Sequence, residues 1–424
     1  MLDIKQIRSE PEELQRRINT KNVTVDFSEI LGLDEKRRTL IVEVESLKAE
    51  RNTASREIAA AQKRGENAEG AMAETRRIAE RIRELDLQLK ELEETQQNLL
   101  MVIPNAPHAS VPVGHSDKEN RVEREWGSKK TQNFQVLDHI RLGESLGLFD
   151  FPRGTKISGS GFPLYTGLGA RLERAIINFM LDLQSREHGY TEVMPPFVVN
   201  SASMTGTGQL PKMHDDMYHC ERDDLWLIPT AEVPITNIHA GEILDAADLP
   251  VRYCGYSPCF RREAGSYGRD VRGFLRTHQF NKVELVKLTR PEESWEELEK
   301  LTANAETVLR KLDLHYRVLT LCTGDTSFAS AKTYDLEVWS PGEQRYLECS
   351  SCSNFEDFQA RRANIRFKEA GGKPRFVHTL NGSGLATSRL IVALLETWQR
   401  EDGGLEIPPP LRPFMGVDSI EPRS

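Results

Sequence analysis

The sequence predicts an α+β fold, an antiparallel sheet with helices packed on it, preceded by a two-helix coiled-coil arm. Three observations carry this expectation. Beyond residue 201 the apolar alternation is mostly of strand period, and helical period intrudes only near 291–312 and 385–400. The connections between strands are too uneven for repeated βαβ units, and neither G-x-G-x-x-G nor G-x-x-x-x-G-K-[ST] follows a strand, which excludes Rossmann and P-loop nucleotide folds. From residue 34 to 101 the composition shifts to Glu, Lys, Arg, Ala and Leu without one proline, as long helices require.

In the arm, Leu40, Val44, Leu47, Ala54, Ile58 and Ala61 step by threes and fours, interrupted once at Arg51. Ala71, Thr75, Ile78, Ile82, Leu85, Leu89, Leu92, Gln96 and Leu99 repeat the step. These are heptad seams. RGENAEG at 64–70 has turn composition, so the helices should fold back as an antiparallel hairpin, each limb roughly 45 Å long at 1.5 Å per residue. Between residues 48 and 83 nine Lys and Arg face six Glu, whereas the rest of 34–100 has four basic and nine acidic residues. The far end is therefore the basic end. Charge at outer heptad positions is the ordinary solvated state of a coiled coil, so the count alone does not identify a partner.

VIPNAPHASVPVG at 102–114, rich in Pro and small residues, ends the second helix and sets the expected boundary between an arm of 1–103 and a body of 104–424. A short helix is predicted near 134–148. A longer one is predicted over 168–188, where Leu168, Leu172, Ile176, Phe179, Met180 and Leu183 form a wide apolar face. Strands are predicted at 225–228, 253–260, 280–288, 315–321, 333–339 and 375–380.

A formal charge of -9 argues against a protein that coats nucleic acid indiscriminately, leaving local basic patches as the route to RNA. No apolar run is long enough for a membrane helix and the first residues lack the apolar core of a signal peptide, so no membrane partner and a cytoplasmic location are expected. Six cysteines in such a chain read as reduced thiols. Cys349 and Cys352 form a C-x-x-C with Cys254 and Cys259 as a conceivable second pair, but the second spacing is loose and no His stands at ligand spacing; no zinc is expected.

The densest chemistry lies in 253–288, two strand-like runs flanking a loop rich in Gly and Arg. Arg261, Arg262, Arg269, Arg272 and Arg276 crowd this loop, and a guanidinium grips phosphate through a planar fork. Glu263, His278 and Glu284 are interleaved with them. The segment FRREAGSYGRDVRGFLRTHQF resembles the second signature motif of class II aminoacyl-tRNA synthetases. With LIPTAE, KTYDLEVW, SSCSNFEDFQARR and NGSGLATSR following in order, nearly the whole chain resembles the seryl-tRNA synthetases.

That resemblance implies the class II antiparallel sheet and a two-step ligase reaction: L-serine is activated by ATP to seryl-adenylate, then transferred to the 3′ end of tRNA(Ser), with tRNA(Sec) as a further substrate. It implies an arm that grips tRNA, and a homodimer joined through the 168–188 helix and the strand after it. Carried over residue by residue, Arg261 meets the α-phosphate and Arg389 the far phosphates, and these two are the catalytic groups. ATP is further surrounded by Arg262, Glu263, Phe280, Glu348, Cys349, Ser350 and Ser351, with Phe280 stacked on adenine and Glu348 and Ser351 holding Mg²⁺ through hard oxygens. The serine pocket takes Thr230, Ala231, Glu232, Arg261, Glu284 and Ser383; an ammonium needs an acidic partner, and a site built to bond a hydroxyl rejects an analogue lacking one.

The sequence departs from the family's common bacterial form at Arg262, where Ser is frequent, at Cys349, where Ile is frequent, and at TSR, where VGR is usual. No assigned residue is lost, although fine contacts to ATP are put in doubt. The competing readings are another class II synthetase, a paralogue that activates a small amino acid for a carrier protein, and a coiled-coil scaffold. The first would lack the PTAE pocket combined with the long arm, the second would lack the arm, and the third has no need of phosphate-binding arginines.

Overall fold

The computed structural model describes residues 1–263 and 272–423. Arg269, singled out in the Arg-rich loop, lies outside the described residues. The chain forms two compact units, one of Met1–Asn19 with Val23–Pro104 and the other of Thr20–Asn22 with Asn105–Ser424.

In the first unit, two short helices, Ile4–Ser9 and Pro11–Asn19, precede α1 (Ser28–Lys63) and α2 (Glu69–Met101). α1 begins earlier than the composition shift suggests because Asp26 Oδ1 accepts the Ser28 N–H at 2.9 Å and starts the helix there. The Arg37–Glu93 and Lys48–Asp86 ion pairs and the Gln62–Met72 contact step forward along α1 and back along α2, which makes the pair antiparallel. The predicted seam is sheltered almost throughout: Val44, Ile78, Ile82, Leu85 and Gln96 are buried, and even Arg51 is half-buried. Ala71 departs from it, being exposed next to the turn. Asp34, 1 % exposed, is tolerated because Arg8 and Arg38 reach it at 2.9 and 3.1 Å.

In the second unit the main sheet contains β1 (Arg121–Trp126), β2 (Thr191–Glu192), β3 (Val251–Phe260), β4 (Gln279–Thr289), β5 (Tyr316–Thr320), β6 (Lys332–Ser340), β7 (Arg345–Asn354) and β8 (His378–Ala386). Among the described residues their order is β1-β5-β6-β7-β8-β4-β3-β2, antiparallel except for the β2–β3 pair. The 253–288 stretch is the predicted hairpin, with Cys259 opposite Phe280 and Phe260 opposite Gln279. Four helices pack with the sheet: α3 (His139–Leu146), α4 (Gly167–Asp182), α5 (Ser294–Lys311) and α6 (Thr387–Trp398). Their apolar faces, including Leu172 and Ile176, Leu301 and Val308, and Leu390 and Leu394, share one core with Val283 and Leu285 of β4 and Leu336 and Val338 of β6.

Four elements differ from the sequence expectation, each for a physical reason. The helix near 134–148 is only eight residues long, because Asp138 caps its start and Gly147 at φ 65 ends it. The single strand expected at 375–380 is two: Arg375–Phe376 pairs elsewhere, and β8 runs on through Asn-Gly-Ser-Gly. That turn-like composition is extended because a Cβ at Gly382 would lie 2.3 Å from Leu301 Cδ2 and 2.9 Å from Cys352 Sγ, so the position must be glycine for the layers to close. β7 escapes the alternation rule because Ser350, Ser351 and Ser353 line a polar cavity while Cys349 and Cys352 serve as its small core residues. β1 escapes it because a sheet edge favours the charges of RVEREW.

The seam separates two neighbouring leucines in α2: Leu85 is fully buried and Leu87 is 64 % exposed. Leu85→Ala should destabilise the helix pair by about 2–4 kcal/mol, and Leu87→Ala by less than about 0.5 kcal/mol. Hydrogen exchange of the arm amides reads both; equal protection in the two variants would refute the seam.

Candidate active site

The alternation of β4 builds the site. Val283 and Leu285 point into the core, so Phe280, Lys282 and Glu284 share the other face and line a cavity of about 620 Å³. Neighbouring strands complete it: Ser383 on β8 stands opposite Glu284, and β7 contributes Glu348, Cys349, Ser350 and Ser351. Arg261 enters where β3 gives way to the loop, Arg389 from the first turn of α6, Thr230 from the segment before the short helix Glu232–Thr236, and Glu232 from that helix's first residue. Glu263 also lines the cavity.

One end is an acidic, hydroxyl-bearing pocket. Thr230 Oγ1 donates to Glu284 Oε2 at 2.8 Å and accepts from Lys282 Nζ at 2.8 Å, while Lys282 is also ion-paired to Glu284. Glu284, fully buried, keeps its second oxygen without a partner among the described residues. Glu232 Oε1 accepts from Gln359 Nε2 at 2.6 Å; burial, and then the neighbouring Glu284 carboxylate, push its carboxyl up to about 7. The other end is ionic. Arg389 Nη1 donates to the Glu348 carbonyl at 2.8 Å and to its carboxylate at 3.1 Å, and Ser351 Oγ donates to Glu348 Oε1 at 3.3 Å. Desolvation opposes the charge on Glu348, but Arg389 and Arg261 outweigh it and hold the carboxyl below its ordinary value. Arg261 acts electrostatically on both Glu232 and Glu348, which places it between the two ends. Its guanidinium also lies 5.1 Å from the centre of the Phe280 ring.

Two residues named from the sequence do not line the cavity. Ala231 is fully buried with Ile235 and Val286, and Arg262 turns its guanidinium over Tyr218 at 5.3 Å. Several lining residues were missed. Lys282 was legible in principle, since it falls between Phe280 and Glu284 at the strand period; Asn381 carries no such signal, and Arg276, read from the sequence only as part of the Arg-rich loop, lines the cavity as well. Asp335, on β6 opposite Ser351, is 8 % exposed with Oδ1 unpaired; burial, and then Glu348, raise its carboxyl well above the usual range. Glu173 of α4 accepts from Asn281 Nδ2 at 2.7 Å and from Thr387 Oγ1 at 2.5 Å, tying α4 to the strand and the helix that carry Phe280 and Arg389. Burial pushes its carboxyl up to about 7.

Known proteins match the chain over nearly its whole length. Residues 1–107 match the seryl-tRNA synthetase N-terminal domain, and residues 218–398 match the class II core domain of the G, H, P, S and T tRNA synthetases. The serine–tRNA ligase of Geobacter sulfurreducens is 56 % identical over 98 % of this chain and 99 % of its own length. The chain belongs to the seryl-tRNA synthetase family. A crystal structure of seryl-tRNA synthetase from Pyrococcus horikoshii complexed with ATP superposes with a TM-score of 0.93 at 41 % identity, covering 100 % of both chains. A serine-tRNA ligase from Naegleria fowleri in complex with AMP does so with a TM-score of 0.88 at 29 % identity. Membership of the seryl-tRNA synthetases makes the protein a ligase of class II fold and removes the scaffold reading.

Proposed function

We propose that this protein activates L-serine with ATP and transfers the seryl group to the 3′ end of tRNA(Ser). The observation that carries the reading is the single cavity in which Arg261 stands between an acidic hydroxyl-binding pocket and the Arg389–Glu348 pair. Glu232, with Thr230 beside it, takes the serine ammonium, and Glu284 and Ser383 flank its hydroxyl. The serine carboxylate oxygen bonds to the α-phosphorus as the bond to pyrophosphate breaks. Arg261 neutralises the charge gathering there, Arg389 holds the departing phosphates, and Phe280 stacks on adenine. A ribose hydroxyl of the terminal adenosine then attacks the seryl carbonyl and AMP leaves, with Glu263 facing the adenine or the incoming 3′ nucleotide.

Magnesium fits the ionic end. The Glu348 carboxylate and Ser351 hydroxyl are hard oxygen donors, and the unpaired Asp335 Oδ1 adds acceptor capacity behind them. Bound there, the ion would neutralise phosphate charge. The reading has no place for zinc: Cys349 Sγ donates to the Leu336 carbonyl at 3.3 Å, and burial pushes the Cys352 thiol up to about 12, away from the thiolate a zinc ligand needs. Met194 and Val198, 84 and 43 % exposed just beyond α4, support a homodimer. Among the described residues no helix is long and apolar enough to cross a membrane. The same reading extends to tRNA(Sec) as a further substrate and to the cytoplasm as the place of action.

For the arm, only part of its basic charge is available. Lys48, Arg64, Arg77 and Arg81 are held by Asp86, Glu66, Glu74 and Glu43, whereas Arg51, Arg56, Lys63, Arg76 and Arg83 make no ion pair among the described residues. These five are the groups free to meet phosphate.

The purified protein should exchange pyrophosphate into ATP with serine and Mg²⁺, and far less with alanine or threonine. Arg261→Ala and Arg389→Ala should each lose roughly 2–4 kcal/mol of transition-state stabilisation. Exchange driven equally by alanine, or near wild-type rates in Arg261→Ala, would overturn the assignment. Because the Glu232 carboxyl titrates at about 7 and must be ionised to hold an ammonium, kcat/KM for serine should rise with pH and level off above that value. Below it the decline should approach about tenfold per pH unit; a flat profile between pH 6 and 8 would remove Glu232 from the ammonium site. Neutralising Arg51, Arg56, Lys63, Arg76 and Arg83 together should spare exchange, weaken tRNA charging and flatten the salt dependence of tRNA binding by roughly 0.9 per lost phosphate contact. Unchanged charging would refute an RNA role for these residues.

A further inference from the structure

Among the described residues one group of three potential metal ligands comes together, His139, Glu343 and Glu396, whose donor atoms lie within 4.8 Å of one another. Their hydrogen bonds assign the group a different task. His139 opens α3 and is fully buried, as is Glu396, which lies two turns along α6 from Arg389. The Phe274 backbone N–H donates to His139 Nε2 at 3.3 Å, so that nitrogen is the unprotonated one and the ring proton sits on Nδ1. Nδ1–H donates to Glu396 Oε1 at 3.2 Å, which also accepts the His139 backbone N–H at 3.1 Å. The other carboxylate oxygen accepts from the Ser340 hydroxyl and from Gly342 N at 3.0 Å. With both nitrogens engaged, the ring has nothing to offer a cation.

The ring is also confined. Gly273 has φ +58, and a Cβ there would lie 2.3 Å from His139 Nε2, so the chain passes directly against the imidazole at a position only glycine fits. The Phe274 side chain, fully buried, lies between Phe149 at 4.6 Å and Tyr165 at 5.2 Å. The next residue, Leu275, gives its carbonyl to Arg389 Nε at 3.3 Å. The limb that returns from the Arg-rich loop to β4 is therefore fastened to α6 twice, directly at Arg389 and through His139 at Glu396.

We propose that His139 is a positioning residue for the phosphate end of the site: by holding Phe274 against Glu396 it fixes the Leu275 carbonyl that orients the Arg389 guanidinium. The proposal rests on the reading of Arg389 as a phosphate-binding residue. It requires a selective effect, because none of the hydrogen bonds joining Thr230, Glu232, Lys282, Glu284 and Gln359 involves this limb, whereas a merely structural role would lower stability and affect both substrates alike.

The test measures serine-dependent ATP–pyrophosphate exchange on the full-length protein, His139→Ala and His139→Gln, varying ATP and serine separately. In His139→Ala, kcat/KM for ATP should fall roughly ten- to hundredfold, as for a slightly misplaced binding group. KM for serine should stay within about twofold, the signature of an effect confined to one substrate. His139→Gln, whose amide can donate to Glu396 and accept from the Phe274 N–H, should recover most of the loss. Wild-type ATP kinetics in His139→Ala, or equal losses for both substrates, overturn the proposal; a wild-type protein that shows no serine-dependent exchange overturns the functional reading beneath it instead. Should His139→Ala fail to fold, ¹⁵N NMR of histidine-labelled wild type decides: an Nδ1–H tautomer is expected, and an Nε2–H tautomer, or a His139 nitrogen shifted by added zinc, overturns the assignment.

Discussion

Strand β4 has to serve two environments at once, because residues two apart share a face and adjacent residues do not. Its one face gives Val283 and Leu285 to the core, and its other gives Phe280, Lys282 and Glu284 to the cavity. A slip of one residue would exchange the two sets and put apolar side chains where charge is needed. Pairing with β3 on one side and β8 on the other prevents it. The cavity face still carries a cost, since Lys282 and Glu284 are buried ions. Mutual pairing through Thr230 offsets that cost, so removing one of the three is worse for the fold than replacing the ion pair as a unit.

What was legible in the sequence follows from how strictly a position is governed by a single rule. The arm obeys one period, so its seam could be read almost residue by residue; Ala71 fails because the helices have nearly reached their turn. The hairpin around Arg261 obeys the strand period on both limbs. β7 and the second half of β8 answer to other demands, a polar cavity and a contact too close for any side chain, and so they read as turn. The roles of Arg261, Glu284 and Arg389 came from resemblance, and the structure adds that they meet in one cavity. His139 and Glu396 are separated by 257 residues and Glu173 and Thr387 by 214, and no local pattern could join them.

The arm shows how far composition can overstate charge. The basic end counted from the sequence includes Lys48, Arg64, Arg77 and Arg81, which are engaged within the arm itself. Two of these, Lys48 and Arg81, cross between the helices and so contribute to register as well as solubility. Surface pairs of this kind are individually weak, so the heptad seam rather than the ion pairs holds the hairpin.

Glu232 has a thermodynamic consequence that reaches beyond its place in the pocket. Burial lifts its carboxyl from the ordinary value of 4.5 to about 7, so between those values the folded chain holds a proton that the unfolded chain has released. Folding in that window takes up protons, and this carboxyl's contribution to stability is present in mild acid and lost as pH rises through about 7, the reverse of a surface carboxylate. In the role proposed for Glu232, arrival of the serine ammonium reverses the preference locally and drives the proton off. Capture of the amino acid at neutral pH would then release a proton, and its heat would depend on the buffer that receives it.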